Sequence, residues 1–290
     1  MNLLWAGTVS MYKYLVPIVD EGTITTIRFG LAAMCLGVLW PWLPGKGPRG
    51  KDILRALAMG VIVFCISPRL QIAGVNRGQA GDTSLLIALE PLIVALGAAL
   101  FLKEKIARRR WWGFGLGILG MTLISQIWRD DVQALKGLLA NLIFVSSFMC
   151  EAAFSLIGKP MLDRVSPLKL IAIGLLGGTA ANVSISGVHI PAMPLPAWLT
   201  LAYLGIICTV VGYALWYFAI QRAPVNLVGL TVFVQPVAGL VLAALWLHDP
   251  LHWGQFWGSV AIVLGLLIGL RSDTPSRPAP AVLAEPIKAE

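Results

Sequence analysis

Apolar positions along this chain come in long blocks, each of about 17 to 25 residues and separated from the next by a short polar break, which is the pattern of helices cut to the roughly 30 Å depth of a bilayer core at 1.5 Å rise per residue. The blocks run approximately over 2–19, 23–43, 53–75, 82–102, 111–128, 135–157, 167–187, 196–220, 224–247 and 252–270. They predict ten membrane-spanning helices with almost no protein outside the membrane. The last stretch, residues 271–290, is rich in Pro and Ala with scattered charge, cannot bury a core, and is expected to be a disordered cytoplasmic tail. The first block has no basic flank and no small-residue cleavage site followed by soluble sequence, so it reads as a membrane helix and not as a removed signal peptide.

Composition agrees: 58% hydrophobic and 12% charged residues over 290 positions exclude an ordinary soluble domain. The four cysteines (Cys35, Cys65, Cys150, Cys208) fall inside predicted helices, where they serve as small apolar residues. No disulfide framework or zinc spacing is present, and no cofactor is expected.

The two halves of the chain carry the same pattern. A shift of 145 positions lays "RGQAGDTSLLIALEPLIVALGAALFLKEKIARRRWWGFGLGILG" on "RAPVNLVGLTVFVQPVAGLVLAALWLHDPLHWGQFWGSVAIVLG" without a gap. Glu90-Pro91 meets Gln235-Pro236, Glu104 meets Asp249, Trp112 meets Trp257, and Gly113 and Gly120 meet Gly258 and Gly265. Residues 1–128 and 135–270 are thus expected to be two five-helix repeats. An odd number of spans turns the second copy over. With both termini cytoplasmic, the inner loops and tail hold 16 of the Lys and Arg residues outside the spans and the outer loops hold only Arg77, Arg129 and Lys136, as cytoplasmic accumulation of positive charge requires. The formal net charge of +8 is therefore a topology signal, and nucleic acid is not an expected partner. The expected fold is an all-α membrane protein of ten transmembrane helices arranged as two inverted five-helix repeats. Secondary transporters have this architecture, with substrate near the midplane between the repeats.

Several stretches carry a family resemblance: "LLWAGTVSMYKYLV", "TTIRFGLAA", "ALEPLIVALGAALFLKEK" followed by "WWGFGLGILG", and in the second half "YALWYFAIQRAPV" and "FVQPVAGLVLAALWL". On these the chain resembles the EamA-type branch of the drug/metabolite transporter superfamily over residues 2–270. The resemblance implies export of a small metabolite or an amino acid. Two positions depart from the family pattern. Family members have more apolar residues before the position of Trp5, which implies that the chain is truncated or that the natural start lies upstream. Arg69 stands where an aromatic or aliphatic residue is expected.

A charge at the bilayer centre costs roughly 2.5–3.5 kcal/mol on insertion scales, so each ionisable residue inside a span needs a partner or a wet cavity. Five qualify: Lys13, Arg28, Arg69, Glu90 and Glu151. Lys13 and Arg28 either face substrate or lift their charge to the outer interface near Asp20 and Glu21. Arg69 and Glu90, at comparable depth on consecutive helices, either form a structural ion pair or take part in transport. Gln235 occupies the position of Glu90 in the second repeat without a charge, so an acid is not required beside the proline, and this favours a titrating role for Glu90. Trp5 and Trp216, with Tyr12 and Tyr213, either pack or line an aromatic cavity, whereas the other tryptophans sit near helix ends as interfacial anchors. Three cations against two carboxylates leave a surplus of one positive charge, so something anionic is expected to complete the site, either Asp20 or Glu21 in the outer loop or a substrate carboxylate.

Gly113 and Gly117, and Gly254 and Gly258, form small-residue faces suited to helix packing within the chain. His248 and His252 are four apart with Pro250 between them and no intervening Glu, so no metal site is expected. The function expected is an exporter of a small polar metabolite, either proton-coupled or facilitative, in the bacterial inner membrane, as a monomer or homodimer. The alternative is a membrane-embedded enzyme or lipid-modifying protein, against which stands the lack of any nucleophile, His and acid cluster.

Overall fold

The computed structural model describes residues 1–77, 89–125, 134–188, 190, 192–235, 237–238 and 253–270. Among these residues all regular structure is helical. We number the helical runs in chain order. Helix α1 is two short pieces, Asn2–Trp5 and Thr8–Leu15; α2 is Glu21–Leu39; α3 joins Lys51–Val61, a π-helical Ile62–Ile66 and Ser67–Arg77. Helix α4 is Glu90–Phe101, α5 is Arg108–Ser125, α6 is Ala134–Gly158 and α7 is Pro167–Ser186. Helix α8 joins Leu195–Ala202, a π-helical Tyr203–Val211 and Gly212–Arg222; α9 is Val225–Leu230 and α10 is Trp253–Leu270.

Among the described residues five runs are long and apolar enough to cross a bilayer: Glu21–Trp42, Lys51–Gly74, Leu142–Met161, Pro167–Ser186 and Leu195–Arg222. Large apolar side chains on the outer surface, among them Trp42, Leu100, Phe101 and Trp253, are more than two-thirds exposed. That is the surface of a protein whose solvent is hydrocarbon. The first apolar block is not the single span expected over 2–19. It breaks at Ala6 and Gly7, where a residue without a side chain weakens the helix, and ends before Pro17, which cannot continue the hydrogen-bond ladder. The expected segments 82–102 and 224–247 lie partly outside the described residues.

Local signals set the ends of the other runs. The side chain of Asp20 accepts the Thr23 backbone N–H at 3.0 Å and caps α2. Pro167 occupies the first turn of α7, where its missing N–H costs nothing, and Gly187 at φ 71° closes that helix.

Packing relies on close approach of backbones. A Cβ added at Gly60 on α3 would lie 1.7 Å from the Gly174 carbonyl oxygen on α7, so only glycine fits this crossing. The second close pairing is α5 against α10. A Cβ at Gly113 would lie 2.9 Å from the Gly265 oxygen, and one at Gly120 would lie 2.5 Å from the Gly258 oxygen. The glycine faces are thus used within the chain, as small residues at membrane helix interfaces are.

These contacts are reciprocal under the 145-residue shift. Gly113 touches Gly265, the counterpart of Gly120, while Gly120 touches Gly258, the counterpart of Gly113. The π-helical turn Ile62–Ile66 of α3 maps by the same shift onto 207–211, inside the π-helical turn of α8. Helix α7 packs on α3, and α2 packs on the π-helical part of α8, again a shifted pair.

Candidate functional site

The π-helical turns loosen the backbone of α3 and α8 where polar groups are needed. Pro68 has no N–H for the carbonyl four residues back, Phe64, and Asn182 Nδ2 on α7 supplies the missing donor at 2.8 Å. On α8 the Cys208 carbonyl accepts Trp5 Nε1 at 2.8 Å, and Thr209 Oγ1 bonds back to the Leu204 carbonyl at 2.8 Å. Each disturbed ladder is repaired by a side chain from another helix or from the turn itself.

Just past these turns the helices part around a cavity of about 120 Å³. At about 10–15 Å³ per water on this measure it has room for several waters or one small solute. Among the described residues Glu90, Glu151 and Arg28 carry the charge on its walls. Trp5, Tyr12, Tyr213, Trp216, Phe144 and Phe148 supply aromatic faces. Three pairs related by the 145-residue shift face it together: Pro68 with Tyr213, Gln71 with Trp216, and Glu90 with Gln235.

The charged groups differ in how they are held. Arg28, on α2 and only 5% exposed, donates from Nε to Thr209 Oγ1 at 3.1 Å and from Nη1 to the Tyr12 hydroxyl, with its guanidinium carbon 4.8 Å from the Phe29 ring centre. It does not reach for the outer interface, because these partners already take its charge inside. Glu151, on α6, accepts from Ser67 Oγ at 2.9 Å and from the Tyr213 hydroxyl at 3.0 Å. Glu90, at the start of α4, has no hydrogen-bond partner among the described residues. Gln235 Nε2 donates weakly to Asn2 Oδ1 at 3.4 Å. The aromatic wall is fixed in turn. Trp216 Nε1 donates to Ser155 Oγ at 2.8 Å, and the Trp5 ring lies 5.4 Å from that of Tyr213 and 6.0 Å from that of Trp216.

Of the residues singled out from sequence, Glu90, Glu151, Arg28, Trp5, Tyr12, Tyr213 and Gln235 meet at this cavity. Arg69 does not. It donates from Nε to Asn182 Oδ1 at 3.0 Å and from Nη2 to Ser186 Oγ at 2.7 Å, which ties α3 to α7. The expected Arg69–Glu90 ion pair is therefore not formed, because Asn182 and Ser186 hold the guanidinium on the other side of α3. Lys13 lies on Thr8–Leu15, and its side chain is outside the described part of the structure. With Arg69 elsewhere, the positive surplus read from three cations is not found among the described groups lining the cavity, where one cation meets two carboxylates. The sequence reading passed over Ser67, Ser155, Thr209 and Asn182. Ser67 directly precedes a mid-helix proline, which was a usable signal; the other three look like ordinary polar residues of a membrane helix.

Among the described residues no group of three His, Cys, Asp or Glu side chains could hold a metal ion. His248 and His252 lie outside the described residues.

A second polar cluster sits at the basic end of the molecule, in the loop after α4. Glu104 accepts from Lys159 Nζ at 2.6 Å, from the backbone N–H groups of Val225 at 3.0 Å and Asn226 at 3.2 Å, and from Asn226 Nδ2 at 2.7 Å. Arg110 Nη1 donates to Asn226 Oδ1. Burial pushes the Glu104 carboxyl up, but Lys159 and the two backbone donors outweigh it and hold the group below the usual carboxylate range.

The model of the EamA-like transporter family matches the chain twice, at residues 1–126 and 138–271. A protein of Archaeoglobus fulgidus named an uncharacterized transporter is 24% identical over 269 residues, covering 92% of this chain and 95% of that protein. A probable terminal-alkyne amino-acid exporter of Streptantibioticus cattleyicolor is 24% identical over 258 residues, with 86% and 82% covered. A biotin transporter of Salmonella typhimurium is 24% identical over 277 residues, with 92% and 89% covered. One solved crystal structure superposes with a TM-score of 0.77 at 16% identity over 92% of both chains, which shows a shared fold.

Proposed function

The chain belongs to the EamA-like transporter family, and from that premise we propose that it exports a small polar solute, an amino acid being the favoured class, by alternating access between two inverted five-helix halves of a ten-span protein. The observation that carries this reading is the central cavity, whose walls come from both halves and include three shift-related residue pairs. A site on the axis between inverted repeats can be opened to either face by rocking one half against the other. The reciprocal glycine contacts of α5 and α10 and the matched π-helical turns support the repeat. The excess of Lys and Arg in the inner loops supports cytoplasmic termini, and with them an inner-membrane location.

Proton coupling belongs to the same proposal. Glu90 faces the cavity with no described donor beside it, in the company of Glu151, Arg28, Tyr12 and Tyr213. A carboxylate so placed is the natural group to bind and release a proton in each cycle. The amino-acid class rests on the resemblance and on the name of the Streptantibioticus relative. The matched family and these relatives are transporters, so the membrane-enzyme alternative is not favoured.

Radiolabelled flux in proteoliposomes tests this, with candidate solutes chosen by a growth screen on toxic metabolite analogues. A transporter moves solute unchanged; a product chemically altered without net flux would overturn the reading. Single cysteines at Val188 and Lys105, with Cys35, Cys65, Cys150 and Cys208 replaced, should react with impermeant maleimide from outside and inside respectively. Reaction from the same face would remove the inverted topology.

A further inference from the structure

The two halves of the cavity wall differ in what they leave unsatisfied, and this bears on the solute. Arg28 is anchored by Nε to Thr209, by Nη1 to Tyr12 and against the face of Phe29. Glu151 is committed to Ser67 and Tyr213, and it offsets the one cation on the described wall. What remains among the described groups is the carboxylate of Glu90, with the amide of Gln235 at its shift-related position. An ionised carboxylate in a membrane interior without a partner is unstable, so a bound group that donates hydrogen bonds and carries positive charge is favoured there. The wall around it is aromatic: Trp5, Phe144, Phe148, Tyr213 and Trp216. Ring faces attract cations and have no such attraction for anions. An ammonium group has three donors and no acceptor, which suits a wall that offers a carboxylate and an amide.

We propose that the solute bound in this cavity carries an ammonium group, taken up between the Glu90 carboxylate and the aromatic wall, and that a solute whose only charge is a carboxylate is rejected. The proposal rests on the cavity being the solute site of a transporter, and it runs against the substrate carboxylate that the count of intramembrane charges left open. Rejection of anions has the same origin as acceptance of amines. A carboxylate solute would meet two carboxylates, Glu90 and Glu151, against the single described cation Arg28.

The test uses three probes with one skeleton: phenethylamine, phenylalanine and 3-phenylpropionate, each radiolabelled and measured by equilibrium dialysis against the full chain in lipid nanodiscs. Phenethylamine should bind saturably and at least about tenfold more tightly than 3-phenylpropionate, with phenylalanine between them. Glu90→Gln should weaken phenethylamine at least about tenfold and leave 3-phenylpropionate unchanged or tighter. Should Glu90→Gln fail to fold, Gln235→Glu serves instead and should tighten phenethylamine by placing a second carboxylate at the shift-related position. Equal or tighter binding of 3-phenylpropionate, no saturable binding of phenethylamine, or variants that leave the charge order unmoved would each overturn the proposal. Flux of the same probes separates the two readings. An amine that binds through Glu90 but does not cross leaves the site and removes the transport function, whereas an anion that crosses and outcompetes the amine does the reverse.

Discussion

Glu90 and Glu104 flank the same helix, α4, and are the same kind of side chain in opposite circumstances. Glu104 is held by four donors from Lys159, Val225 and Asn226, and joins the loop after α4 to the ends of α6 and α9. Glu90 faces a cavity with none among the described residues. A carboxylate with every acceptor site engaged fixes structure, because any change of its charge costs the donors around it. One that faces open space among rings has its charge available for a solute or a proton. The difference separates a clip that holds two parts of the molecule together from a group that can change partner during a transport cycle.

The largest expected effect that could break this comparison is on coupling. Glu90→Gln should abolish the response of flux to an imposed pH gradient while leaving the protein inserted and folded; Glu104→Gln should keep that response. Proteoliposome flux after a pH jump measures both, and a Glu90→Gln protein that still responds like the parent would reduce Glu90 to a structural residue. Stability should show the opposite order. Glu104→Ala strands two backbone N–H groups and Lys159, and should cost about 1–3 kcal/mol, seen as a lower midpoint of thermal unfolding in detergent, whereas Glu90→Gln should not lower it.

Acid sharpens the same contrast. The Glu104 carboxyl is held below its ordinary range in the folded state, so its stabilising contribution is complete above the unfolded carboxylate range and is lost as pH falls through the depressed folded value. Unfolding midpoints measured down a pH series should therefore drop less in Glu104→Gln than in the parent. If the two curves stay parallel, the clip is not electrostatic. The smallest effect concerns Arg69. Arg69→Ala should cost about 1 kcal/mol through its lost bonds to Asn182 and Ser186, should weaken charged and neutral solutes alike, and should be additive with Glu90→Gln in thermal unfolding. Coupling between the two substitutions would restore the ion pair that the structure does not contain.

Much of this molecule was legible from one dimension. Block length predicted the five runs that are long and apolar enough to cross a bilayer among the described residues, because the thickness of a bilayer core sets how many residues a crossing needs. The 145-residue shift identified glycines that meet in reciprocal contacts and the Glu90–Gln235 pair that faces one cavity. The intramembrane ionisable residues stood out because each is expensive without a partner. What remained hidden was partnership. Sequence spacing placed Arg69 and Glu90 at similar depth, but depth is one coordinate, and the direction in which a side chain leaves its helix decides whom it meets. The break in α1 was also hidden, since Gly7 is tolerated in many membrane helices.

Helical class, the apolar surface and the presence of costly charges were thus determined by the sequence alone, because they depend on composition and on spacing along one axis. Tertiary structure decided which charges share a cavity. Rotation of α3 carries Arg69 to Asn182 and Ser186 while Pro68 and Gln71, its near neighbours on the same helix, face the centre. Less than one turn of helix separates them in sequence, and that angle leaves one cation against two carboxylates on the described wall, where Arg69 would have balanced the charge.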